Sequence, residues 1–310
     1  MNIFERLGCR YPIIQGAMSN VAFHQLVAAV SNAGGLGILQ AGGWNAEQLR
    51  EEVRKIKQLT DKPFGMNVLL VSPHAEAIAK MAVEEKVPVL TTGAGNPGIY
   101  MKMWKDAGII VIPVVPSVAL AVRMERAGAD AVICEGTEAG GHIGELTTLV
   151  LVPQVVDAVS IDVIAAGGIA DARTVLACLA LGATGVQCGT IFMASHECPI
   201  HINYKQAIVD AKDTSTTVTG RETGRPCRVI KNKMSRRYME IVKEGIDLDR
   251  LEELTLGSLR KAAVEGDMEN GSIMAGQSAG LVKEITSVKT IIENLFSLTP
   301  HIERLDTWKR

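Results

Sequence analysis

Glu135-Gly136-Thr137-Glu138-Ala139-Gly140-Gly141-His142, Ala165-Ala166-Gly167-Gly168-Ile169 and Gln187-Cys188-Gly189-Thr190 each close an apolar, strand-like segment. These three ends fall within the run 131–190 and decide how the whole chain is read. In a barrel of repeated strand and helix units, reactive groups gather at the carboxyl ends of the strands, because the loops there share one mouth while helices cover the sides. Paired glycines and a Gly-Thr let backbone N–H groups come close to a phosphate, with help from a helix N-terminus. The run therefore predicts a bound phosphate ester beside one loop histidine, His142.

Outward from this run the same alternation holds. Short aliphatic or β-branched runs precede longer amphipathic segments: Pro12 to Met18 before His24 to Gly34, Leu36 to Gln40 before Asn45 to Thr60, and Phe64 to Leu70 before Pro73 to Lys86. Val89 to Ala94, Ile109 to Val115, Ala131 to Gly136, Asp162 to Gly168 and Gly185 to Thr190 bring the strands to eight. Near-continuous apolar strands separated by helical segments mean parallel strands covered by helices. The fold expected is α/β, a TIM (β/α)8 barrel, with a three-layer sheet as the competing arrangement. Asn32-Ala33-Gly34-Gly35 and Thr60-Asp61-Lys62-Pro63 are helix stops that support the boundaries.

After Thr190 the alternation fails. Residues 193–267 are more polar, and small residues return at Gly271 to Gly280. The expected organisation is a barrel domain, 1–192 and 268–310, with a small lid-like domain, 193–267, inserted before the final barrel helix. The returning Met274-Ala275-Gly276-Gln277 would close over the mouth. Arg221, Arg225, Arg228, Lys231, Lys233, Arg236 and Arg237 form a basic stretch opposed only by Glu222. Such a run is read first as a solvated face, and second as a docking patch for an acidic carrier protein or a phosphorylated substrate arm.

Bulk properties exclude several classes. The 310 residues suffice for one barrel of about 250 residues with an insertion. A net charge of -2 and an aromatic content of 4% argue against nucleic acid and against an anionic membrane surface. The longest apolar run, Gly108 to Val122, is broken by Pro113 and Pro116 and is too short to span a bilayer. Six cysteines without CxxC spacing, and an N-terminus lacking an apolar signal core, point to reduced thiols and a cytoplasmic location. Without HxH or HExxH spacing no metal site is expected, and without a Gly-x-Ser-x-Gly elbow no serine triad is expected.

Single residues sharpen the site. Asn67 is a polar residue inside an apolar strand, so its amide needs a partner, either backbone or a heterocyclic ring with donors and acceptors. Gln15-Gly16-Ala17-Met18 ends the first strand with small residues against which a flat ring can lie, though methionine also serves as plain core filling. Thr190 adds a hydroxyl donor. His142 can give or take a proton near neutral pH, whereas His24, His74, His196, His201 and His301 sit where surface or capping roles fit better.

Thr91-Thr92-Gly93-Ala94-Gly95-Asn96-Pro97, Ile112-Pro113-Val114-Val115-Pro116-Ser117, Glu138-Ala139-Gly140-Gly141-His142-Ile143-Gly144, Ala165 to Ala170 and Met274-Ala275-Gly276-Gln277 together carry a resemblance. Over nearly the whole chain the sequence resembles the flavin-dependent enoyl-acyl carrier protein reductase II family of bacterial fatty-acid synthesis, itself close to the nitronate monooxygenases. The resemblance implies a homodimeric TIM-barrel FMN enzyme that takes electrons from NADH or NADPH and reduces the trans-2 double bond of enoyl thioesters on acyl carrier protein. It implies stimulation by a monovalent cation such as K+ or NH4+.

By position in the resemblance, Ala17, Met18, Asn67 and Glu135 would line the ring and ribityl chain, and Gly167, Gly168, Gly189 and Thr190 would hold the phosphate. Ala166, Gln187, Met274, Gly276 and Gln277 complete the implied cofactor pocket, and His142 would be catalytic. Cys188 departs from the apolar residue expected in the phosphate strand. The alternatives are a nitronate monooxygenase, with oxygen and an alkyl nitronate as substrates, and a non-catalytic phosphate-ligand binder that keeps the barrel.

Overall fold

The computed structural model describes residues 1–306; the end of the expected barrel domain, 307–310, lies outside the described residues. The first half alternates strand and helix. Following α1 (Ile3–Leu7), the pairs are β1 (Ile13–Gln15) with α2 (His24–Asn32), β2 (Leu36–Leu39) with α3 (Ala46–Leu59), and β3 (Phe64–Leu69) with α4 (Ala75–Glu84). Next come β4 (Val89–Gly93) with α5 (Gly98–Asp106) and β5 (Ile110–Val115) with α6 (Val118–Arg126). β6 (Ala131–Glu135) leads into a two-residue strand, β7 (Gly141–His142), before α7 (Thr148–Ala158). β8 (Asp162–Ala166) with α8 (Ala172–Ala180) and β9 (Gly185–Cys188) with α9 (Thr190–Met193) complete the barrel strands.

All eight predicted strands form and close into one parallel barrel in the order β1-β2-β3-β4-β5-β6-β8-β9. Closure comes from β1 lying against β9, with Ile14 opposite Gln187 and Gln15 opposite Cys188. A TIM barrel results.

Alternation along each strand separates two cores. Ile14, Leu36, Ile38, Val89, Ile112, Ile133 and Ile164 point into the barrel and pack together. Outward-facing residues pack on the helices, as Leu49, Val53 and Ile56 of α3 show by being fully buried at helical spacing. Each such side chain removed from water stabilises the fold by roughly 1.5–3 kcal/mol. α3 starts where it does because Asn45 and Gln48 form a reciprocal capping box.

The bottom of the barrel is plugged by α1, whose Ile3 and Phe4 join the interior cluster. Gly185 is required there: a Cβ would sit 2.3 Å from the Phe4 ring and 2.6 Å from the Pro12 carbonyl. With the bottom sealed, the free end is the carboxyl end.

Residues 193–267 hold α10 (Ile202–Val209), β10 (Thr216–Thr219), β11 (Cys227–Ile230), α11 (Lys233–Glu244), α12 (Leu248–Thr255) and α13 (Ser258–Ala263). Tyr204 of α10 is buried in the same core as the barrel helices, while Tyr238, Ile241 and Leu251 make a small separate cluster under α11 and α12. β10, β11 and β7 form a three-stranded antiparallel sheet over the barrel mouth loop. The chain then runs through a 3-10 turn (Gln277–Leu281) to α14 (Val288–Leu295) and α15 (Thr299–Asp306). Among the described residues, no helix is long and apolar enough to cross a membrane.

Two sequence expectations are corrected. His142 is not on a free loop: it is part of β7, paired in register with Cys227 of β11. Arg228 does not belong to a solvated basic face. It is 7% exposed, and its Nε and Nη2 donate to the Thr137 carbonyl at 3.2 and 3.0 Å. Its strand position decides this, because Arg228 pairs with Gly141 and so lies against the loop after β6.

Candidate active site

The barrel mouth gathers the predicted residues. Glu135 lies opposite Ala166, and Gln187 lies opposite both Ala166 and Ile14, which belong to the barrel interior. Asn67 is in register with Thr91, and Thr91 with the interior Ile112. Asn67, Glu135 and Gln187 therefore crown the interior with polar groups facing one space. These three, with Ala17, Met18, Gly167, Gly168, Gly189 and Met274, are all half-buried, as residues lining an open concavity are.

The tips are close to one another. A Cβ on Gly16 would lie 3.0 Å from Gln187 Cδ, and one on Gly189 would lie 3.3 Å from Met18 Sδ. Asn67 uses its carbonyl to accept from the Thr91 hydroxyl at 3.0 Å, rather than from or to backbone. Its amino group has no partner among the described residues.

Gly167 and Gly168 both take positive φ, 94° and 78°. Side chains there would be strained, and a Cβ on Gly167 would also strike the Gly136 carbonyl at 2.8 Å. With no side chain at either position, the backbone of this turn is open to close approach by a ligand. Thr148, the first residue of α7, keeps this turn in place: its hydroxyl lies 3.2 and 2.9 Å from the Ala166 and Gly167 carbonyls.

Glu138 is occupied structurally. Its carboxylate accepts from the Thr148 backbone N–H and hydroxyl at 3.0 Å. The segment 274–277 docks between two tips, with the Gly276 N–H donating to Thr190 Oγ1 and the Gln277 N–H to the Glu138 carbonyl, both at 2.9 Å. Ala166, Thr190 and Gly276 are consequently buried, and Gln277 remains exposed at the edge. The Thr190 hydroxyl accepts this bond and donates none among the described residues.

Glu135 has no hydrogen-bond partner among the described residues, and desolvation at the strand end raises its carboxyl to about 7. A neutral carboxylic acid can donate as well as accept. Cys188 faces away from the mouth, into the core under the helices, so its departure from an apolar residue leaves the mouth lining untouched. Burial pushes the thiols of Cys134, Cys178 and Cys198 up to about 12, which makes them inert packing groups.

His142 is exposed on β7, and Met274 Sδ lies 3.6 Å from where a Gly141 Cβ would be. β7 is thus held between the inserted sheet and the 274–277 segment. Two hollows flank the mouth: one of about 190 Å³ walled by Thr92, Gly95, Pro113, Pro116, Leu120 and Met124, and one of about 30 Å³ beside Asn67. Sequence reasoning gave no role to two residues that shape this region, Thr148 and Gln40, and read a third, Arg228, only as part of the basic stretch. Thr148 left a trace, as a hydroxyl residue at a helix start.

A family profile for nitronate monooxygenase matches residues 2–85 and 72–297. The chain belongs to this family. Within it, the chain is 36% identical over 340 residues to a probable nitronate monooxygenase of Staphylococcus aureus, covering 94% of this chain and 95% of that one. FabK from Thermotoga maritima shares 50% identity over 99% of this chain and 98% of its own, with a TM-score of 0.96. A nitroalkane oxidase of Streptomyces ansochromogenes shares 29% identity over 97% of this chain and 99% of its own, with a TM-score of 0.87.

Proposed function

We propose that the mouth binds FMN and that the protein is an NAD(P)H-dependent enoyl-[acyl carrier protein] reductase. The observation that carries this reading is the 50% identity to FabK over 99% of this chain. The mouth suits the cofactor: a tight turn of two left-handed glycines with no side chain over it, a Thr190 hydroxyl that accepts from the Gly276 N–H and can still donate, and unpartnered amides and a carboxyl at the strand ends.

In this reading Gly167, Gly168, Gly189 and Thr190 hold the phosphate through backbone N–H groups and one hydroxyl. Ala17 and Met18 leave a low wall for a flat ring, Asn67, Glu135 and Gln187 offer polar partners along it, and Met274, Gly276 and Gln277 cover it. FMN, when bound, supplies a two-electron carrier able to accept hydride from NADH or NADPH and to pass it to the β-carbon of an electron-poor alkene. Reduction of an enoyl thioester leaves negative charge on the thioester oxygen and needs a proton at the α-carbon. In this reading His142 would donate to one of these, and β7 pairing limits where its imidazole can go. In the same reading the protein is a cytoplasmic homodimer stimulated by K+ or NH4+, serving fatty-acid synthesis.

The test is anaerobic. Purified protein should be yellow, should bleach on NADH or NADPH, and should regain its colour on addition of crotonyl thioester. A second reading, nitronate monooxygenase, is favoured by the 36% identical staphylococcal relatives. It predicts little bleaching by NADH and rapid oxygen uptake with an alkyl nitronate. A colourless protein that takes up no FMN would leave a non-catalytic binder.

A further inference from the structure

Gln40 follows β2, two residues beyond the inward-facing Ile38, so strand alternation aims its side chain into the barrel mouth. It is 1% exposed. Its amide nitrogen and oxygen are both buried, and neither has a hydrogen-bond partner. Among the described residues no other buried side-chain nitrogen or oxygen is left so. The backbone of Gln40 is satisfied by donation to the Ala22 carbonyl at 3.1 Å, so the orphaned capacity belongs to the side chain alone.

Folding that buries an amide with neither bond made is costly, and persists where something outside the chain completes it. The hollow beside Gln40 is walled by Ala17, Ser19, Gly42, Asn67 and Leu69. Its roughly 30 Å³ is the volume of one water, or of the edge of something larger entering from the mouth. A primary amide offers a donor and an acceptor side by side. Its complement is an imide edge, an N–H next to a carbonyl, such as ends the pyrimidine ring of a flavin.

We propose that Gln40 reads the imide edge of the flavin, its carbonyl accepting from the ring N–H and its amino group donating to the adjacent ring carbonyl. This rests on the flavin reading of the mouth. The barrel order supports it: β3, whose Asn67 borders the hollow, and β8, which leads into the Gly167–Gly168 turn, lie diametrically opposite each other. A molecule gripped by its phosphate at β8 and by its ring edge at β2 and β3 spans the mouth between them. Gln40 is then a positioning and specificity residue, selecting rings that carry an unblocked imide.

The experiment titrates flavin-stripped full-length protein with FMN and with FMN methylated at the imide nitrogen. Wild type is expected to bind the methylated form at least about tenfold more weakly, while Gln40→Leu loses roughly 10- to 100-fold in FMN affinity and no longer distinguishes the two. Ligand-free Gln40→Leu should melt no lower than ligand-free wild type, because it removes an unsatisfied buried amide. A merely structural glutamine would give the opposite. Gln40→Met, of similar length, carries the same expectations if the leucine variant does not fold. Unchanged FMN affinity in these variants would mean that water alone satisfies the amide, and would overturn the assignment. Failure of wild type to take up either flavin would instead overturn the flavin reading of the mouth, and this inference with it.

Discussion

The Arg228 guanidinium, buried on β11, donates from Nε and Nη2 to the Thr137 carbonyl on the loop after β6. One residue pair along the same two strands, Cys227 lies in register with His142. Strand β11 therefore grips the stretch 137–142 at two points, by a ladder and by a charged fork. Arg228→Ala should leave the Thr137 carbonyl without this partner and cost about 1.5–3 kcal/mol, read as a fall in melting temperature. Turnover should fall further than flavin affinity, because the loosened loop carries His142. Equal losses in both would argue against the coupling.

Gly167→Ala tests the phosphate turn. The left-handed backbone and the 2.8 Å approach to the Gly136 carbonyl predict about 1–3 kcal/mol of strain in the ligand-free protein. Affinity for FMN should drop by more than that for riboflavin, which lacks the phosphate. Parallel losses for the two ligands would place the phosphate elsewhere.

Glu135 gives stability a pH dependence. Desolvation raises its carboxyl from 4.5 to about 7, so between those values the folded chain keeps a proton that the unfolded chain has released. Stability from this group is full below pH 4.5 and is lost as pH rises through 7. Allowing for the open side of the site, the loss is on the order of 2 kcal/mol. Denaturation of ligand-free wild type and Glu135→Gln at pH 5 and pH 8 measures it, and the variant should lack this part of the slope.

For His142→Ala, flavin binding should survive and bleaching by NADH should remain, while reduction of crotonyl thioester falls by about 10²- to 10⁴-fold. Full turnover of the variant would remove the imidazole from the reaction.

The basic stretch, with Arg228 taken out of it, leaves Arg221, Arg225, Lys231 and Arg236 exposed and without carboxylate partners among the described residues. Arg237 and Lys233 are already paired, with Glu240 and Glu269. Reversing Arg221, Arg225 and Arg236 to glutamate should raise KM for a carrier-bound enoyl substrate and leave KM for the coenzyme A thioester unchanged. Equal KM values in wild type and variant with the carrier-bound substrate would return these residues to a plain solvated face.

What the sequence determined by itself was local. Eight apolar runs between amphipathic segments announced eight strands, because burial on both faces forces near-continuous aliphatic composition. Gly167-Gly168 announced a tight turn after β8, because few other residues tolerate a left-handed backbone. Tertiary structure alone decided which side chains meet. β7 pairs with β11 across a long stretch of intervening chain, and a two-residue strand is too short to carry a pattern of its own. Arg228 read as one more surface cation until that pairing turned it inward. Gln40 read as an ordinary polar residue at a strand end, and only barrel closure, which fixes the inward face of every strand at once, buried its amide with nothing of the chain's own to satisfy it.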